Sequence, residues 1–229
     1  MSRSGVKLIA IGFNMQGNGL TRVMHSILPR LADRHEIHYL GIGYSGETIR
    51  DRGLTIHPTN LKGGDVFAAF QAKKLIEEIN PALVFILQDI WCFGHYLRIL
   101  APYRDRLKIV CCIPMDGKIA RDEDAASLEH ADRIVVYTEF ARKEVEGAFD
   151  RLREKRGGGE FPAVDVIPHG IDRNRFDREV GPERLFDEVP AIEQCKSLVA
   201  ARNATNRFHE RMLPARNGRH GSGMVHFDV

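Results

Sequence analysis

Three stretches of the chain, LVFILQ, KIVCCI and RIVVY, are apolar at consecutive positions rather than alternate ones. Parallel strands covered on both faces read this way, whereas a half-exposed strand alternates with period two. Strand-like runs stand at 7–12, 36–42, 54–57, 83–87, 108–113, 133–137 and 163–167. Helix-period segments lie between them. LTRVMHSILPRLADR places Val23, Ile27, Leu28 and Leu31 on one face, with Pro29 as an expected kink. DVFAAFQAKKLIEEI turns Val66, Phe67, Phe70, Leu75 and Ile79 inward, and Asn80-Pro81 stops it. TEFARKEVEGAFDRL opens on Thr138 as N-cap. Strand then helix, repeated, predicts an α/β fold with a doubly wound, mostly parallel Rossmann-like sheet.

In such sheets ligands bind beyond the carboxyl ends of the strands. The polar residues to examine are therefore 14–19 after the first strand, Gln88-Asp89 after the fourth, and Met115-Asp116 after the fifth. Thr138-Glu139 follows the sixth run and Pro168-His169-Gly170 the seventh. The charged run with three glycines at 151–161 reads as an exposed loop with a solvated face.

The loop GFNMQGNGLTRV at 12–23 joins the first strand to the first helix. Gly12 and Gly17 have the Walker spacing, but Asn18 and Gly19 stand where that loop needs Lys and Ser/Thr. Gly17-Asn18-Gly19 begins a dinucleotide pattern, but Arg22 replaces the third glycine. The second strand ends in YLGIGY with no acid for a ribose. Two readings remain. In one, the turn lets backbone N–H groups at a helix N-terminus approach an anionic or hydroxyl-rich ligand. In the other, Gly17 and Gly19 only make a tight connection.

Composition narrows the class. The 229 residues suit one large domain, or one domain plus part of a second. A net charge of +2 carries no strong nucleic-acid or membrane footprint. No segment reaches the roughly 18 apolar residues of a membrane span. The N-terminus reads as a first strand, not a signal peptide. Cys92, Cys111, Cys112 and Cys195 form no C-x-x-C pair and read as buried thiols of a reducing compartment. The ten histidines are scattered with no H-E-x-x-H, and no metal site is expected.

VDVIPHGIDRNRF at 164–176 resembles the V-I-P-N-G-I-D-x-x-x-F segment of GT-B glycosyltransferases of the retaining family 4 group. ADRIVVYTEFARKEV at 131–145 is similar to that family's A-D-x-V-V-x-x-S/T-x-F strand and helix. The opening strand, glycine loop, helix and second strand agree with it as well. The resemblance implies two Rossmann-like domains facing a cleft, the first binding the acceptor and the second a nucleotide-sugar donor. Gly17, Asn18 and Gly19 would then face the cleft. Asp116 would be the catalytic-site residue, touching a sugar hydroxyl; its competing role is to cap a turn with Gly117. His169 stands where the family often has Asn, and its segment otherwise reads as a chain exit from the sheet. Glu139 would face the ligand or support its helix N-terminus. The family works without a catalytic metal, since helix dipole and basic side chains offset the leaving diphosphate. The implied cofactors are none beyond the nucleotide-sugar co-substrate. The implied partner is a glycan or lipid-linked acceptor, reached from the cytoplasm or at the membrane periphery.

These matches define an acceptor-side domain at 1–176. Residues 177–207 read as a connector and the stub of a donor domain, with Arg202 and Arg207 at the spacing of the family's diphosphate-binding Arg and Lys. Residues 208–229 show neither strand nor helix period, and no E-x₇-E follows Phe176. The expectation is a truncated transferase that is inactive alone, or a non-catalytic half-domain that binds a glycan or a partner chain supplying the donor half. A third reading, an NAD enzyme, lacks the third glycine and the acid.

Overall fold

The structure, a computed structural model, describes residues 5–59 and 64–170. Strands β1 (Lys7–Phe13), β2 (Glu36–Ile42), β3 (Ile49–Asp51), β4 (Leu54–His57), β5 (Leu83–Leu87), β6 (Lys108–Ile113), β7 (Arg133–Val136) and β8 (Val164–Val166) form one sheet. Its order is β3-β4-β2-β1-β5-β6-β7-β8. Every pairing is parallel except β3 with β4. The helices are α1 (Gly19–Ala32), α2 (Ala69–Ile79), α3 (Phe93–Leu100), α4 (Glu123–Ala126) and α5 (Glu139–Arg156).

β1 is covered on both faces, as consecutive apolar positions predict, whereas in β5, β6 and β7 the alternate residues Phe85, Val110 and Val135 are half-buried. Along β1, Ile9 and Ile11 enter a core shared with α2, α3 and α5, while Leu8 and Ala10 enter a second core against α1. Pleat alternation therefore sends neighbouring side chains into two different cores, and both must be apolar.

α1 is rolled relative to the face read from its periodicity. It buries Met24, Leu28 and Ala32, while Ile27 and Leu31 are exposed. The reason is close approach at Gly12: a Cβ there would stand 3.1 Å from the Met24 methyl. Met24 thus takes the place against β1, and the helix rolls about that contact. The helix runs on through Pro29.

α2 begins at Ala69, four residues later than the start of the apolar pattern. Ala68 sits in the left-handed region at φ 57°, and the Asp65 carboxylate accepts from Ala69 N at 2.8 Å and Gln71 N at 3.0 Å. Asp65 thereby serves first-turn donors that lack a carbonyl partner. Small residues Ala68, Ala69 and Ala72 lie against the sheet with Leu75 and Ile76, while Val66 and Phe70 turn outward instead of inward. Asn80 ends the helix in the left-handed region, and Thr138 caps α5 by accepting from Ala141 N at 3.1 Å.

Two further departures are local. β3 pairs with β4 through a turn in which Arg52 (φ 44°) and Gly53 (φ 80°) are both left-handed. That is the primed hairpin geometry, made here by Arg-Gly rather than the usual Asn-Gly or Asp-Gly. The charged residues 151–156 belong to α5, which ends on left-handed Gly157. The loop is confined to 157–163.

Candidate functional site

Strand order reverses at β1. β2 and β4 lie to one side of it and β5 to β8 to the other, so the connections leaving β1 and β5 diverge and open a crevice at their carboxyl ends. The loop from β1 forms one wall. Asn18 caps α1, its Oδ1 accepting from Thr21 N at 3.0 Å. Thr21 Oγ1 in turn accepts from Met15 N at 3.0 Å and donates to Phe13 O at 2.9 Å. The Asn18 side chain is thus committed to the helix, and what it offers a ligand is the ordered turn around it. Gly17 has φ 79°, a conformation that favours glycine. A Cβ at Gly17 or Gly19 would meet nothing within 4 Å, so the space above the turn is open.

The end of β2 explains the missing acid in YLGIGY. A Cβ at Gly41 would lie 2.7 Å from Asn14 Cβ, and one at Gly43 would lie 2.4 Å from Met15 Cγ. The β1 loop lies across these glycines, and Asn14 is further tied to His25 Nε2 at 2.9 Å. Met15 occupies the ground beside the tip of β2 where a dinucleotide fold places its ribose acid.

The second wall comes from β5 and β6. Gln88 N donates to Cys112 O at 3.3 Å, which continues the ladder one residue past β5. Its side chain is wholly buried, and neither Oε1 nor Nε2 has a hydrogen-bond partner. Asp89 follows, and Asp116 stands beyond β6. Partial burial, and then the Asp116 charge, hold the Asp89 carboxyl above its usual range. The Asp116 charge is therefore felt at Asp89 from the adjacent strand end. Asp89 also raises the neighbouring Cys92 thiol, after the larger effect of burial. Among the described residues neither Asp89 nor Asp116 makes a side-chain hydrogen bond or ion pair. Other acids of the chain are engaged: Asp65 caps α2, Asp132 binds Lys108 at 2.9 Å, and Asp122 binds Arg151 and Lys155 at 2.9 and 3.0 Å.

Glu139 and His169 stand at the far strands. Glu139 is exposed in the first turn of α5 and pairs with Arg142. His169 follows β8 and lies against the Tyr137 ring, centroids 3.7 Å apart. Tyr137 accepts a weak hydrogen bond from the Cys112 thiol at 3.6 Å. β8 is three strand spacings from β5, or roughly 14 Å. The structure thus brings Gly17, Asn18, Gly19 and Asp116 to the crevice and sets Glu139 and His169 at its flank. Arg202 and Arg207 lie outside the described residues.

Two features of the site were not assigned in the sequence. The buried Gln88 amide looks like any polar residue after a strand. The aromatic side chains Phe67 and Trp91 come from loops far apart in the chain. No group of three or more His, Cys, Asp or Glu among the described residues is placed to hold a metal ion. No described helix is long and apolar enough to cross a membrane. A cavity of about 520 Å³ lies at the opposite end of the sheet among Ala32, His35, Arg50 and Thr55. It is away from the strand ends where α/β sheets hold ligands.

No family model matches this sequence, and no curated protein matches it. Solved structures do. One is a trehalose-6-phosphate structure from E. coli bound with UDP-2-fluoro glucose, with TM-score 0.51 and 13% identity over 80% of this chain and 54% of that one. Another is a trehalose-6-phosphate synthase studied with bisubstrate glycomimetics, with TM-score 0.52 and 14% identity over 82% of this chain and 53% of the other. The chain spans about half the length of each. At such identity the likeness is one of fold, and it shows that this chain carries the Rossmann-like α/β architecture of the GT-B proteins.

Proposed function

We propose that this chain is the acceptor-side half of a GT-B glycosyltransferase, of the retaining, family 4-like kind, that moves a sugar from a nucleotide-sugar to an acceptor hydroxyl. One observation carries the reading. At the strand ends on one side of the switch point, Asp89 and Asp116 have no side-chain partner among the described residues and the Gln88 amide is buried and unpaired, while the glycine turn after β1 is open. Unpaired acceptors of this kind suit a ligand rich in hydroxyls, since each unmade hydrogen bond is costly until a donor arrives. In the transfer, the bond from the sugar's anomeric carbon to the diphosphate oxygen breaks and one to the acceptor oxygen forms. The nucleoside diphosphate leaves and the acceptor proton is released. Asp116 accepts a hydrogen bond from an acceptor hydroxyl. Asp89, with its raised affinity for protons, supports it. The α1 N-terminus faces the developing negative charge. Arg202 and Arg207 hold the donor diphosphate.

The test is release of nucleoside diphosphate from UDP-glucose in the presence of a pooled acceptor set, by the chain alone and mixed with a separately made donor half. Transfer that depends on the chain and falls at least tenfold in Asp116→Asn supports the reading. Transfer indifferent to Asp116→Asn overturns that residue's role. The same unpaired acceptors support a second reading, a half-domain that binds a glycan or partner without catalysis. Saturable glycan binding with no transfer in any mixture would select it.

A further inference from the structure

An aromatic cluster stands at the rim of the crevice and has no part in the packing of either core beyond Phe67. Trp91 lies in the turn Ile90–Cys92, two residues past Asp89, and half of its surface is exposed. The Phe67 ring meets it edge-on with centroids 5.3 Å apart, and His95 stacks on Phe67 at 5.2 Å. The cluster is held in place from below: Tyr96, wholly buried, donates its hydroxyl to Phe67 O at 2.7 Å, and Ala68 turns the chain at φ 57°. Trp91 and Phe67 thus come from the loops that follow β5 and β4, both at the ligand-binding end of the sheet.

Resting on the transferase reading, we propose that Trp91 and Phe67 form the acceptor's ring platform, on which an uncharged pyranose lays its apolar face while Asp89 accepts hydrogen bonds from its hydroxyls. Two observations select this ligand. An exposed indole two residues past the Asp89 carboxylate matches a molecule with one apolar face and a rim of hydroxyl donors. The charge bearing on Asp89 is that of Asp116, another carboxylate, and no described lysine or arginine is bound to either. A phosphorylated sugar would bring its anion to this acidic pair without a partner.

Trp91 is the chain's single tryptophan, so its fluorescence reports on this platform alone. The full chain is titrated with maltotriose and cellotriose, as uncharged pyranosides, and with glucose 6-phosphate. The expected result is a saturable change with at least one uncharged sugar and binding at least tenfold weaker for glucose 6-phosphate. Phe67→Ala and, read by calorimetry, Trp91→Ala each weaken binding about tenfold, as loss of one covered ring face requires. Trp91→Phe, which keeps a ring and cannot disturb the core, retains most of the affinity. No response to either sugar, equal or tighter binding of glucose 6-phosphate, or unchanged affinity in Trp91→Ala each overturns the proposal. A blue shift on adding phosphatidylcholine–phosphatidylglycerol vesicles without any sugar response would assign the cluster to a membrane instead, and overturns it too. Donor-dependent transfer without a Trp91 response would break this subsite and spare the transferase reading. A Trp91 response without transfer would do the reverse.

Discussion

Replacing Gln88 by methionine should make the protein more stable. The two side chains have nearly the same length and are unbranched, so the swap leaves no large cavity and forces little repacking. What changes is polarity. Gln88 is fully buried with both amide atoms unpaired. An amide moved from water into such a place costs about 1–3 kcal/mol by mutational measures. Methionine has no such cost. For a chain of this size each kcal/mol moves Tm by about 2–4 °C, so Gln88→Met should raise it by roughly 2–12 °C. Urea denaturation should show the gain in midpoint with unchanged slope. An unchanged or lower Tm would refute the reasoning. It would mean that the amide is already satisfied, by an enclosed water for example, and is part of the folded structure rather than of a site.

Gly41→Ala should destabilise by about 1–3 kcal/mol in urea denaturation, since its Cβ would stand 2.7 Å from Asn14 Cβ and push the β1 loop off the tip of β2. Thr138→Ala should cost about 1 kcal/mol by loss of the α5 cap, and Thr138→Ser should restore most of it. The Asp89 carboxyl is raised by burial and by Asp116, so the folded protein binds its proton more tightly than the unfolded chain. Its contribution to stability therefore falls as pH rises from the usual carboxylate range through the raised folded value. Asp89→Asn should gain stability at neutral pH and lose that advantage in acid, and Asp116→Asn should lower the Asp89 titration seen by carboxyl NMR; an upward move would refute the pairing. Burial pushes the Cys92 thiol up to about 12 and Cys112 to about 11. In a Cys195→Ser background, thiol reagents at pH 8 should label none of the remaining cysteines until denaturant is added.

The strands were legible in the sequence because burial on one face and at least partial cover on the other leave an unbroken apolar run, and LVFILQ, KIVCCI and RIVVY admit little else. Caps at Thr138 and Asn80 were legible for the same local reason: a side chain or a left-handed residue acts on its own helix end. The crevice was legible only as a set of strand ends. Which of them adjoin is a property of strand order, and order depends on pairings between segments distant in the chain. That order put Asp116 beside Asp89 and set His169 and Glu139 at the flank. The roll of α1 was also beyond periodicity, because Val23, Ile27 and Leu31 are as apolar as Met24 and Leu28. The choice fell to the gap over Gly12, which exists only once β1 and α1 meet. Gly41 and Gly43 read as an absent ribose acid in the sequence, and only packing shows that Asn14 and Met15 need their space. The unpaired Gln88 amide and the Phe67–Trp91 contact belong to the same class, since burial and ring contact are relations between elements that no single segment carries.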